Sequence, residues 1–142
     1  GQHPGEIYVP ACTNAALDYL HKQEPDFAFL YLAMPDDVGH KEGWMSDAYL
    51  RSVRLCWENI EGIVKTLPND YTVIITADHG GHDRTHGVDI DEDMTIPMFF
   101  IGEEFEPGKE LSGVSILDLA PTIADLMQIY HAPQWEGRSL LK

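Results

Sequence analysis

Two apolar runs of strand length dominate the chain, Phe27–Met34 and Tyr71–Ala77, and each stops at a segment rich in Asp, His and Gly. Runs that are apolar throughout, rather than alternating, fit strands buried on both faces in a parallel sheet covered by helices. The second run is β-branched almost throughout and is the stronger strand signal. Helical patterns fall between and around these runs. Thr13 is expected to cap a helix that reaches Gln23, with Glu24-Pro25-Asp26 breaking it. Ser46 is expected to cap a second helix, Asp47 to Thr66, and Pro68-Asn69-Asp70 reads as a turn. Pro35–Met45 and Asp78–Met94 read as polar loops, Thr95–Ile101 as a further strand and Val114–Ile116 as a short one. Asp118–Ile129 reads as a helix, because Pro121 falls in a first turn where its missing N–H has no partner to lose. The alternation predicts an α/β fold with a mostly parallel sheet, and 142 residues without repeats or Gly/Ser linkers suit one domain.

Charge narrows the function. Nine Lys and Arg against 24 Asp and Glu give a formal −15. Such a surface repels phosphate backbones and anionic lipids, so nonspecific nucleic-acid or membrane-surface binding is disfavoured. No stretch approaches the roughly 18 apolar residues of a membrane helix, and the opening Gly1–Pro10 lacks a basic-then-apolar leader. A soluble chain of undecided compartment is expected. The two cysteines, Cys12 and Cys56, form no metal or redox spacing and read as small hydrophobes.

The polar segments after the two strand-like runs hold the chemistry. The first carries Asp36, Asp37, Gly39 and His40; the second carries Asp78, His79, Gly80, Gly81, His82, His86 and Gly87. Ligands of open parallel sheets bind beyond the carboxyl ends of strands, so two parallel strands would bring both segments to one edge. Four of the seven histidines would then meet two strand-terminal aspartates, while His3, His21 and His131 lie elsewhere. Imidazole with carboxylate suits zinc, with manganese or iron as looser fits. His82 reads as either a ligand or a hydrogen-bonding support, and Asp37 as an alternative to Asp36. Lys41 and Arg84 stand close enough in sequence to touch an anionic group.

Asp36-Asp-Val-Gly-His40, followed by Ala77-Asp78-His79-Gly80-Gly-His-Asp-Arg-Thr-His86-Gly87, resembles the metal-binding signature of the alkaline phosphatase superfamily. Within it the chain is most similar to type I phosphodiesterase/nucleotide pyrophosphatase enzymes. The likeness runs from Pro25 to Leu140 and takes in Asp93–Met98, Ser115–Thr122 and Glu136–Leu140. It implies a three-layer α/β/α sandwich, of which residues 1–142 would be the C-terminal part of a single catalytic domain. It implies that Asp36, His40 and His86 bind one metal and Asp78 and His79 a second, with two zinc ions in the complete enzyme. The substrate it implies is a small phosphate ester, a phosphodiester or nucleotide pyrophosphate.

Sulfatases and cofactor-independent phosphoglycerate mutases share that core and are rival readings, with the Gly81–His86 stretch favouring the phosphodiesterase branch. The family's Thr or Ser nucleophile belongs to the preceding half of the fold, so no catalytic residue is assigned here and Thr13 is read as a cap. Little phosphodiester hydrolysis is therefore expected of this chain alone. An unpaired sheet edge is expected to favour a homodimer. From another class, a non-catalytic domain would keep a cation only to hold two mutually repelling loops together.

Overall fold

A computed structural model describes residues 4–68 and 70–141; Gly1–His3, Lys142 and Asn69 of the expected turn lie outside the described residues. The chain divides into two compact units, one built from residues 1–68 and 79–97, the other from 69–78 and 98–142.

The first unit is helical. Helix α1, Pro4–Gln23, buries Gly5, Val9, Thr13 and Leu20, a stripe at near-helical spacing. Thr13 is thus not a cap: it lies mid-helix, buried, and its Oγ1 donates to the Val9 carbonyl at 2.8 Å. A Thr hydroxyl bonded back to the preceding turn is satisfied without ending the helix, so its residue type misled at this position. Helix α3 spans Asp47–Thr66, and the Ser46 side chain accepts from the Tyr49 amide at its start. Between them lies helix α2, Met34–Glu42, where a polar loop was expected. Its signals were present in the sequence. Pro35 sits in the first turn, where its ring pre-sets the backbone, Asp36 and Asp37 complement the positive end, and His40 and Lys41 the negative one. Val9, Met34, Val38 and Cys56 form the core, with Leu32, Ala48, Tyr49 and Leu55 packed against it. Burial pushes the Cys56 thiol up to about 11, as suits an inert small hydrophobe.

The first expected strand does not form. Residues 27–33 take no regular secondary structure and run into α2. Phe27, Phe29 and Tyr31 are exposed, Phe29 by 80%, while Leu30 and Leu32 are half-buried. This segment forms no ladder, because no strand among the described residues pairs with it.

In the second unit, β1 (Val73–Thr76) and β2 (Met98–Ile101) pair antiparallel, Val73 opposite Ile101 and Thr76 opposite Met98. Both are shorter than the runs Tyr71–Ala77 and Thr95–Ile101. The expected mostly parallel sheet is replaced, among the described residues, by this two-stranded antiparallel one. The mixed α/β content stands and is consistent with part of an alkaline phosphatase-like fold. Residues Val114–Ile116 form no strand: Ser115 caps a 3-10 turn, Ile116–Asp118, that leads into α4, Leu119–Leu126. Pro121 falls in the first turn of α4, as expected. Asp118 is buried and accepts from the Ser115 and Arg138 amides, and the buried Thr122 hydroxyl accepts from the Leu140 amide. These bonds from Arg138 and then Ser115 hold the Asp118 carboxyl below its ordinary range and pin the irregular tail. No helix among the described residues is long and apolar enough to cross a membrane.

Candidate metal centre

The site lies within the first unit and draws on two stretches of chain. Helix α2 carries Asp36 and His40 four residues apart, hence on one face. The stretch after residue 78 carries His79, His82 and His86. Its shape is set by backbone pairing: the Gly80 amide donates to the Asp93 carbonyl at 2.7 Å and the Gly81 amide to Glu92 at 2.8 Å. His82 and Thr85 then exchange both backbone hydrogen bonds across a tight turn.

Three imidazole nitrogens converge on one carboxylate oxygen. Asp36 Oδ1 lies 3.5 Å from His40 Nε2, 3.5 Å from His86 Nε2 and 3.8 Å from His79 Nε2. That oxygen is buried and has no hydrogen-bond partner. The ring tautomers sharpen the point. His40 Nδ1 lies 3.0 Å from the Arg84 carbonyl and His79 Nδ1 2.7 Å from the Gly80 carbonyl. A carbonyl only accepts, so each Nδ1 carries the hydrogen, and in the neutral ring Nε2 is left as a bare lone pair. Lone pairs facing a buried carboxylate oxygen repel unless a cation lies among them. Donor atoms at about 2.0–2.1 Å around a tetrahedral zinc stand about 3.3 Å apart, close to these separations. The donor set therefore fits a divalent ion. Asp36, His79 and His86 form the tightest group, with one donor atom of each within 4.8 Å of the others. The resemblance paired Asp36 and His86 with His40 and assigned His79 to a second ion; in the structure His79 stacks on His86, ring centroids 3.7 Å apart, beside the same oxygen.

The other expected residues fall as follows. Asp78 is exposed and belongs to the second unit. Asp37 is exposed on α2 and lies outside the three-residue group. Lys41 is exposed and pairs with Glu42 at 3.7 Å. Arg84 is exposed, its carbonyl engaged with His40. His82 sits beside the cluster in sequence but turns Nδ1 to Asp93 Oδ1 at 2.7 Å.

Two residues were not singled out from the sequence. Asp93 is 3% exposed, and it also accepts from the Gly87 and Val88 amides at 2.8 and 3.0 Å. Burial works against its charge, but the bonds from His82, Val88 and Gly87 outweigh burial and hold its carboxyl below the ordinary value. The hydrogen bond to Asp93 in turn raises the His82 imidazole above its ordinary value, against the effect of burial. The family likeness takes in Asp93–Met98, but within an Asp-Glu-Asp run residue type alone does not separate Asp93 from solvated acids. Trp44 is the second. Its indole meets the rings of His40 edge-on at 5.1 Å and His86 at 5.8 Å, and its amide donates to the Asp83 carbonyl. Glycines admit it: a β-carbon at Gly39 would lie 2.7 Å from the ring, and one at Gly81 would overlap it.

Residues 8–99 match the family model of type I phosphodiesterase / nucleotide pyrophosphatase, a span that contains every donor of the site. The chain is 31% identical over 143 residues to a 2,3-bisphosphoglycerate-independent phosphoglycerate mutase of Clostridioides difficile, covering 96% of this chain and 28% of that protein. It is 34% identical over 137 residues to the mutase of the same name from Staphylococcus aureus strain Mu50, covering 91% of this chain and 26% of the relative. The mutase of Thermomicrobium roseum is 29% identical over 146 residues, with 96% and 28% covered. The chain thus spans little more than a quarter of the length of these relatives. It belongs to the type I phosphodiesterase / nucleotide pyrophosphatase family of the alkaline phosphatase superfamily.

Proposed function

We propose that this chain supplies the histidine–carboxylate metal centre of a metal-dependent phosphoryl-transfer enzyme. The observation that carries the reading is the buried, unpartnered Asp36 Oδ1 faced by the Nε2 atoms of His40, His79 and His86. Asp36, His79 and His86, with His40 beside them, would hold one divalent ion, zinc by the donor set, with manganese or iron as alternatives. Asp78 is assigned to a second ion by the family resemblance. Bound ions in such a centre lower the pKa of a hydroxyl nucleophile and neutralise charge on the phosphoryl oxygens. The chain's own part is to orient the donors: the Arg84 and Gly80 carbonyls fix the His40 and His79 rings, and Trp44 packs against His40 and His86. The exposed Lys41 and Arg84 are the cations proposed to meet an anionic substrate.

The favoured substrate is a phosphoglycerate, because the relatives that match along nearly the whole chain are named as phosphoglycerate mutases. The second reading is phosphodiester or nucleotide pyrophosphate hydrolysis, supported by the family model and by the Gly81–His86 stretch. The test begins with chelator-stripped chain titrated calorimetrically with Zn2+ and Mn2+. One saturable site is expected, lost in Asp36→Ala; absence of binding by the unaltered chain overturns both readings. The manganese-loaded chain then discriminates between substrates, since the paramagnetic ion broadens the phosphorus resonance of whatever binds beside it. Selective broadening of phosphoglycerate supports the mutase reading, and broadening of a nucleotide diester alone supports the hydrolase.

A further inference from the structure

Asp93 stands outside the donor cluster, yet it holds the chain at three points around it. Its backbone carbonyl takes the Gly80 amide, the residue directly after His79. Its Oδ2 takes the Gly87 amide, the residue directly after His86, and the next amide at Val88. Its Oδ1 takes His82, midway between. Both candidate ligands from this stretch therefore sit one residue before a group that Asp93 fixes. The pattern is more specific than a buried acid satisfying its own lone pairs. One residue sets the separation of His79 and His86, and those rings are stacked 3.7 Å apart.

We propose that Asp93 is the positioning residue of the metal centre, its carboxylate clamping the 82–88 turn so that His79 and His86 present Nε2 to Asp36. The proposal rests on the metal-centre reading above and adds a residue that touches neither ion nor substrate. The clamp has a definite chemical requirement. Oδ2 must accept two amides, which a carboxamide oxygen also does; Oδ1 faces the His82 Nδ1, and an amide NH2 there would require the other imidazole tautomer. Asp93→Asn therefore keeps most of the clamp, whereas Asp93→Ala removes it.

The experiment compares the unaltered chain, Asp93→Ala, Asp93→Asn and the α3 core variant Ile63→Ala, outside the cluster that packs α2. The readouts are zinc affinity and hydrogen exchange of the Gly87 and Val88 amides in chelator. Support for the hydrogen-bonding of second residues around metal ligands commonly amounts to about 10–100-fold in affinity. We expect a zinc Kd weakened by about that factor in Asp93→Ala, accelerated exchange at both amides, and near-complete rescue in Asp93→Asn. Ile63→Ala, which opens the core on α3 outside the cluster that packs α2, is expected to leave the zinc Kd within about twofold. Unchanged affinity and protection in Asp93→Ala overturn the proposal, as does equal weakening by Ile63→Ala. Should Asp93→Ala not fold, Asp93→Asn decides through the amides alone: protection retained at Gly87 and Val88 supports the clamp, and protection lost overturns it. Failure of the unaltered chain to bind zinc overturns the metal-centre reading instead, while the exchange data still judge the clamp.

Discussion

At the scale of single residues, the ion pair of His82 and Asp93 makes the turn around the metal centre sensitive to pH. His82 is raised above the ordinary imidazole value by its bond to Asp93. Its contribution to stability is complete below about pH 6.5, the unfolded imidazole value, and is lost as pH rises through the raised folded value. Asp93 is depressed, so its contribution is complete above about pH 3.9 and disappears as pH falls through the lower folded value. In chelator, the melting temperature of the unaltered chain is expected to decline as pH climbs from 6.5 (about the free imidazole value) into the alkaline range. His82→Gln, which cannot titrate, is expected to lack that decline. Differential scanning calorimetry across the range measures it, and parallel profiles for the two proteins would remove His82 from the account.

At the scale of elements, the legibility of the sequence varied for identifiable reasons. Helix α3 was readable from Ser46 to Thr66 because its cap and its apolar periodicity point the same way. Helix α2 was hidden because Asp, Gly and His are polar loop residues by composition, and only Pro35 at the start and the order of charges, acids first and bases last, mark a helix. The run 27–34 has the composition of a strand, but a strand also needs a neighbour to bond, and sequence pattern carries no information on that. Asp36, His40, His79 and His86 were all named from residue type and spacing. Their convergence on Asp36 Oδ1 could not be seen from spacing, because the stretch 79–88 is shaped by the turn at 82–85 and by hydrogen bonds to Asp93, eleven residues beyond His82. Trp44 depends on two elements meeting: it is admitted by Gly39 on α2 and Gly81 on the following stretch. Gly81→Ala is expected to push the indole aside at about 1–3 kcal/mol, the usual cost of overpacking. The near-UV circular dichroism of Trp44 should change with it, and an unaltered spectrum and melting temperature would show that the ring has room to spare.

At the scale of the whole molecule, a formal charge of −15 works against compactness, and a bound cation offsets part of that repulsion at the buried Asp36 Oδ1. A ligand that binds only the folded chain stabilises it by about 2.7 kcal/mol at a hundred times its Kd. Zinc at that excess is expected to raise the melting temperature by several degrees, chelator to reverse the rise, and Asp36→Ala to abolish it. The first unit is assembled from two stretches of chain, 1–68 and 79–97, and Asp36 belongs to one while His79 and His86 belong to the other. An ion shared among them would act as a removable cross-link, closing a ring of roughly forty residues much as a disulfide would. No covalent bond is made or broken, so the concentration of free metal alone would tighten or release that tether, and with it the chain's resistance to proteases.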